Sequence, residues 1–186
     1  SGSVGYGYTE SMGPVTPDHN LPAGDYNIVP NVTALTAANY TFAPASGTLT
    51  VDKKVLTVTP TAQTMTYGDT TLPAETVGYT GFVNGETDSV VSGTVGFTYL
   101  NGAATVTRNS TLPAGDYTIV PGIGGLSAAN YSFAPASGTL TVEQAEGLKV
   151  NATPYNEKYD GGSHGIGASA NITAGTTLYS SLTGGT

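Results

Sequence analysis

Leu21 to Val51 reads LPAGDYNIVPNVTALTAANYTFAPASGTLTV, and the stretch returns as Leu112 to Val142, LPAGDYTIVPGIGGLSAANYSFAPASGTLTV, with 24 of 31 positions identical. The offset is 91 residues without a gap, so the repeating unit is a whole small domain rather than one turn of a solenoid. The copies differ chiefly in one run, Asn31, Val32, Thr33 and Ala34 against Gly122, Ile123, Gly124 and Gly125. Variation concentrated in one short run, with turns and apolar positions on either side held, predicts a loop tip on a fixed scaffold.

The same offset sets Ser1-Gly2-Ser3-Val4-Gly5 against Ser92-Gly93-Thr94-Val95-Gly96, and Leu148-Lys149-Val150 follows Leu56-Thr57-Val58 at 92. Residues 1–52 therefore read as the back half of one repeat, 53–143 as a complete repeat and 144–186 as the front of a third. Between Val51 and Val55 stand only Asp52, Lys53 and Lys54. Three extended residues span roughly 10 Å, so neighbouring repeats are expected to touch end to end. Glu143 to Gly147 is a longer spacer and contains glycine, which predicts a looser second junction.

Strict alternation marks the strands. Leu56 and Val58 alternate with threonines, as do Leu140 and Val142, and Val95, Phe97 and Tyr99 alternate with Gly96 and Thr98; apolar residues at period two, with Thr on the other face, indicate half-buried strands. Pro113-Ala114-Gly115-Asp116, Asn84-Gly85, Ala136-Ser137-Gly138 and Tyr67-Gly68-Asp69 supply the turns between them. No window carries a sustained helical stripe; Ala128-Ala129-Asn130 and Gly85 to Val91 are each expected to form at most one turn. The fold class is all-β: tandem, small, Ig-like β-sandwich modules in an elongated array. The expected core of residues 53–143 is Leu56, Val58, Met65, Tyr67, Phe82, Val95, Phe97, Tyr117, Ile119, Tyr131, Phe133, Leu140 and Val142.

Composition narrows the partners. Charged residues make up 10% of the chain and the formal net charge is −8, which disfavours nucleic acid and anionic lipid, both of which demand clustered Lys or Arg. Cysteine is absent, which rules out disulfides, thiolate metal sites and cysteine nucleophiles. Apolar runs stop at four or five residues, so no helix here is expected to insert into a membrane.

Sites are sparse. Asp25 and Asp116 lie in matching turns, where a carboxylate either binds calcium or bonds the amides of its own turn; without a DxDxD run the turn is favoured, and no cofactor or metal is expected. His19 and His164 occupy unrelated polar positions and read as surface residues. No nucleophile elbow, carboxylate pair or phosphate loop is present, so catalysis is not expected. Asn39 and Asn130 precede aromatic positions and are expected to bond backbone in the turn ahead of a strand. A Lys54 to Asn130 isopeptide is the one covalent device worth testing.

Taken in order, Tyr67-Gly68-Asp69, Tyr79-Thr80-Gly81-Phe82-Val83-Asn84-Gly85-Glu86, Ala114-Gly115-Asp116-Tyr117, Leu126-Ser127-Ala128-Ala129-Asn130-Tyr131 and Gly138-Thr139-Leu140-Thr141-Val142 resemble the MBG domain of the YGX type. The tail, Tyr159-Asp160-Gly161-Gly162-Ser163-His164-Gly165-Ile166, is similar to the opening of YDG-type surface repeats. The resemblance implies an exported, multi-domain bacterial surface protein, adhesin-like, and therefore an extracellular location; it names no ligand. Two functions stay open. One is a structural spacer whose partners are the neighbouring repeats; the other is a module that binds host or matrix glycan or protein through the 31–34 and 122–125 tips by avidity.

Overall fold

The computed structural model describes residues 1–11, 13–152, 156, 158–162 and 167–171. Apart from one 3-10 turn at Asp88–Val90, every element is a strand. The Ala128 to Asn130 segment is a bend rather than a helical turn.

The first sheet holds β1 (Gly5–Glu10), β2 (Gly13–Val15), β3 (Gly24–Asn31) and β4 (Gly47–Val51), all antiparallel in the order β2-β1-β3-β4. The following segment adds β5 (Lys54–Pro60), β6 (Gln63–Thr66), β7 (Val77–Thr80), β8 (Gly96–Asn101), β9 (Ala104–Val106), β10 (Gly115–Gly122), β11 (Tyr131–Pro135) and β12 (Gly138–Glu143). These make a five-stranded sheet, β6-β12-β10-β8-β9, facing a three-stranded one, β11-β5-β7. The chain crosses between the sheets at Pro60 to Gln63, so that β5 lies parallel to β11 and β6 parallel to β12. A strand that changes sheets closes one corner of an Ig-like sandwich and lets both sheets share one core.

The 91-residue period holds in three dimensions. Tyr8 opposes Ile28 as Tyr99 opposes Ile119, and Gly24 opposes Val51 as Gly115 opposes Val142. Near the other end, β13 (Val150–Ala152) and β14 (Ala168–Ala170) pair Val150 with Ala170 and Ala152 with Ala168. Val58 pairs with Tyr79 and Pro60 with Val77 in a register one residue different, the first strand returning after 92 residues and its partner after 91.

Alternation fills the core between the two sheets: Leu56, Val58, Ile119 and Leu140 are sealed from solvent, with Met65, Tyr117, Tyr131 and Val142 close behind. Tyr67, expected there, is instead exposed. It follows the last residue of β6, and its amide bonds Glu143 O at 2.9 Å at the open end of the sandwich. Tyr99 and Leu112 take core places the pattern did not assign them. Phe82, Val95, Phe97 and Phe133 are half-buried at the margin.

Residues 1–51 bury far less. Tyr40 is 77% exposed where its counterpart Tyr131 is 2% exposed, and Ile28 and Leu49 are half-buried where Ile119 and Leu140 are sealed. Among the described residues no strand lies beside residues 40–44 as β5 lies beside β11. Identical local sequence therefore has different burial, because burial is supplied by a second sheet.

Candidate functional site: the junction between repeats

Lys54 already belongs to β5, so only Asp52 and Lys53 separate the repeats, one fewer than the sequence suggested. Around this link lies a cleft of about 160 Å³ whose walls include His19, Ala23, Lys54, Asn84, Glu86 and Asn130. Asn130 holds both sides of it. Its backbone carbonyl accepts from Lys54 N at 2.9 Å, which fixes the start of β5. Its side-chain Oδ1 accepts from Ala23 N at 3.0 Å, in the turn of the preceding repeat. Ala23 precedes Gly24, which pairs with Val51 at the end of β4. The two-residue link is thus closed into a ring by backbone pairing on one side and a carboxamide on the other. The expected role of Asn130 in its own turn is corrected accordingly: the side chain reaches across to the other repeat.

A second bond runs parallel, from Asn84 Nδ2 to His19 O at 3.2 Å. Asn84 sits at φ 55°, the one non-glycine residue with positive φ among those described, a conformation Asn tolerates better than most residues. The loop carrying it is anchored by Tyr131, whose hydroxyl accepts from Val83 N at 3.2 Å and donates to Glu86 Oε2. The bond to Glu86 raises the Tyr131 pKa, because ionising the phenol would set two anions against each other. Phe82 packs edge-on to Tyr131 with ring centroids 5.5 Å apart. Lys53 Nζ donates to Ala128 O at 2.8 Å, tying the link itself to the bend before Asn130. In Lys54 and Asn130 the structure brings together two backbones, while the Lys54 side chain is exposed.

The donor turn is built by a tyrosine in each copy. Tyr26 OH donates to Pro22 O at 2.8 Å and Tyr117 OH to Pro113 O at 2.7 Å. Asp25 and Asp116, expected on the amides of these turns, instead accept from Thr50 and Thr141 hydroxyls across the strand pair, at 2.7 and 2.8 Å. Among the described residues no three His, Cys, Asp or Glu converge as a metal site would require. His19 contributes its backbone carbonyl to the junction, and His164 lies outside the described residues.

The variable tips keep one shape despite their different residues. Leu35 N bonds Val32 O and Leu126 N bonds Ile123 O, each at 3.0 Å. Gly2 and Gly93 lie under them with positive φ, and a Cβ on either would collide with the carbonyl oxygen of Ala34 or Gly125. Asn31, Thr33, Ala34, Gly122, Gly124 and Gly125 are exposed and Val32 and Ile123 half-buried, so the variation changes surface chemistry without changing the backbone.

Sequence reasoning missed a buried polar cluster. Arg108 donates to Gln63 Oε1 and Pro73 O, both at 2.7 Å, pairs with Glu75 at 3.2 Å and lies 5.2 Å from the Tyr99 ring centroid. Tyr99 OH donates to Glu75 at 2.9 Å; burial, then this bond, raises the Tyr99 pKa. The available signal was that Arg108 is the chain's only arginine and stands where the other copy has Pro17. Both its Nη atoms are engaged within the domain, so the cluster straps the 73–75 segment to the sheet.

Comparison with known proteins gives one family. Residues 56–141 match the family described as the MBG domain (YGX type). No curated protein matches. Among solved structures, the chain is similar to the N-terminal four Ig domains of Dscam1 isoform 1.9, at 12% identity and TM-score 0.35, covering 76% of this chain and 38% of that one. It is also similar to the I-band fragment I67–I69 of titin, at 10% identity and TM-score 0.28, covering 86% and 72%. Residues 56–141 of this chain are an MBG domain of the YGX type.

Proposed function

We propose that these repeats are a structural spacer, a stalk segment of a large secreted or cell-surface bacterial protein that holds other domains away from their anchor. MBG domains are repeat domains of surface proteins. The observation that carries the spacer reading is Asn130, which bonds the preceding repeat through its side chain and its own first strand through its backbone. A two-residue link braced on both sides transmits orientation, whereas a flexible tether would lose it. The acidic, hydroxyl-rich surface keeps such a rod soluble without attracting polyanions.

The alternative, an adhesin module acting through its tips, draws support from variation concentrated at exposed positions of an unchanged turn. The test is binding of the whole chain to an array of glycans and extracellular-matrix proteins. A spacer gives no saturable signal. Saturable binding that disappears when Gly122 to Gly125 are exchanged for other residues would replace the spacer reading with the adhesin one.

A further inference from the structure

We propose that Asn130 is a latch that fixes the angle between successive repeats, and that Asn39 and Ala114 are the two halves of the same latch facing further repeats. The inference rests on the spacer reading for its purpose; its geometry stands apart from it.

Each copy carries a donor at one end and an acceptor at the other. The donor is the amide of Ala23 or Ala114, presented by a Pro-Ala-Gly-Asp turn held by Tyr26 or Tyr117. The acceptor is the carboxamide of Asn39 or Asn130, in matching Ala-Ala-Asn-Tyr segments. One donor and one acceptor meet, as Ala23 and Asn130. Among the described residues nothing bonds the Ala114 amide or the Asn39 side chain. Gly115 pairs with Val142 in the register by which Gly24 pairs with Val51, so Ala114 presents its amide beside the exit strand as Ala23 does. The contact is heterologous: the surface that donates differs from the surface that accepts, so it propagates head to tail without closing. The occupant that fits Ala114 is therefore a following MBG repeat, seated by its asparagine as Asn130 is seated on Ala23.

Asparagine suits this position chemically. Its carboxamide places an acceptor three bonds beyond Cα, so one residue can receive Lys54 N on its carbonyl and Ala23 N on its side chain from opposite sides of the link. Asn84 adds a second, parallel bond; two separated bonds resist rotation about the link where one would act as a pivot.

The chain has no cysteine, so spin labels at Thr48→Cys and Thr139→Cys, equivalent exposed positions on β4 and β12, report the distance between repeats by pulsed electron resonance. The parent pair should give one narrow peak. Combining Asn130→Ala with Asn84→Gly, which keeps the positive φ accessible, should broaden the peak at least twofold while the circular dichroism melt stays cooperative. Asn130→Asp, which retains an oxygen acceptor, should keep it narrow, and Asn39→Ala should leave it unchanged. To test propagation, a second copy of residues 53–143 is inserted after Glu143, which recreates the link as Glu143-Lys-Lys. Labels across the new junction should then reproduce the parent distance. A parent peak that is already broad, a double variant that stays narrow, or a different distance at the new junction would each overturn the latch. None of these outcomes depends on whether the array binds a ligand.

Discussion

Ile119→Ala and Ile28→Ala are the same substitution in nearly the same sequence, and the structure assigns them different costs. Ile119 is fully sealed between two sheets, among Met65, Tyr99, Tyr117, Leu140 and Val142. Ile28, its counterpart on β3, is half-buried on a sheet with no opposing layer among the described residues. Ile→Ala removes three carbons. At about 0.8 kcal/mol each the transfer loss is about 2.4 kcal/mol, and the unfilled cavity raises the total to about 3–4 kcal/mol. For a domain of this size that lowers the melting temperature by about 15–25 °C. The loss at Ile28 should be about 1 kcal/mol or less, since water already reaches the site and no sealed cavity is left. Urea unfolding followed by circular dichroism, with amide hydrogen exchange resolved by peptide, separates the two segments. Equal losses at both positions would refute the claim that the second sheet, rather than the strand sequence, creates the core.

Three further outcomes follow from particular contacts. Arg108→Met should destabilise the second repeat by about 2 kcal/mol, because it removes the charged donor at 2.7 Å from the buried Gln63 carbonyl and leaves it only the longer, shared Tyr99 hydroxyl at 3.3 Å, while Glu75, 38% exposed, can turn to water; a loss under about 0.5 kcal/mol in urea unfolding would show that the strap is idle. Tyr26, Tyr99 and Tyr131 all have raised pKa values, Tyr26 through burial and then Glu10. Their neutral forms are favoured by the fold, so the stability they add is complete below the ordinary phenol value of about 10 and disappears as pH climbs through the folded values; absorbance at alkaline pH should show Tyr26, Tyr99 and Tyr131 ionising above that ordinary value, and replacing each by Phe should remove its share of the late absorbance rise. Residues 53–143, expressed alone, should give an all-β spectrum and one cooperative melt, and a helical or non-cooperative trace would remove that segment's standing as a domain.

Most of the strand layout was legible in the chain because period-two alternation and turn residues are local signals. Leu56, Val58, Ile119 and Leu140 could be assigned to the core from neighbours alone, since a one-residue slip would expose all of them. The 91-residue repeat likewise needed only counting, and the run where the copies differ most falls on matching turns, Val32 to Leu35 and Ile123 to Leu126. Tyr67 and Tyr99 show where locality fails. Both are tyrosines beside strand residues, yet one lies past the end of β6 and the other faces Gln63, Glu75 and Arg108 from three separate segments. Which end of a strand leaves the sandwich is decided by where the partner sheet stops. The sequence by itself determined that this is an array of all-β repeats with short links. Only the tertiary structure decided that Asn130, an ordinary turn residue by its neighbours, spans two repeats, because its partner Ala23 lies 107 positions away and is brought near by pairing in both sheets. It also decided that equivalent residues in the two copies are unequally buried, since burial belongs to the second layer and not to the strand that carries the side chain.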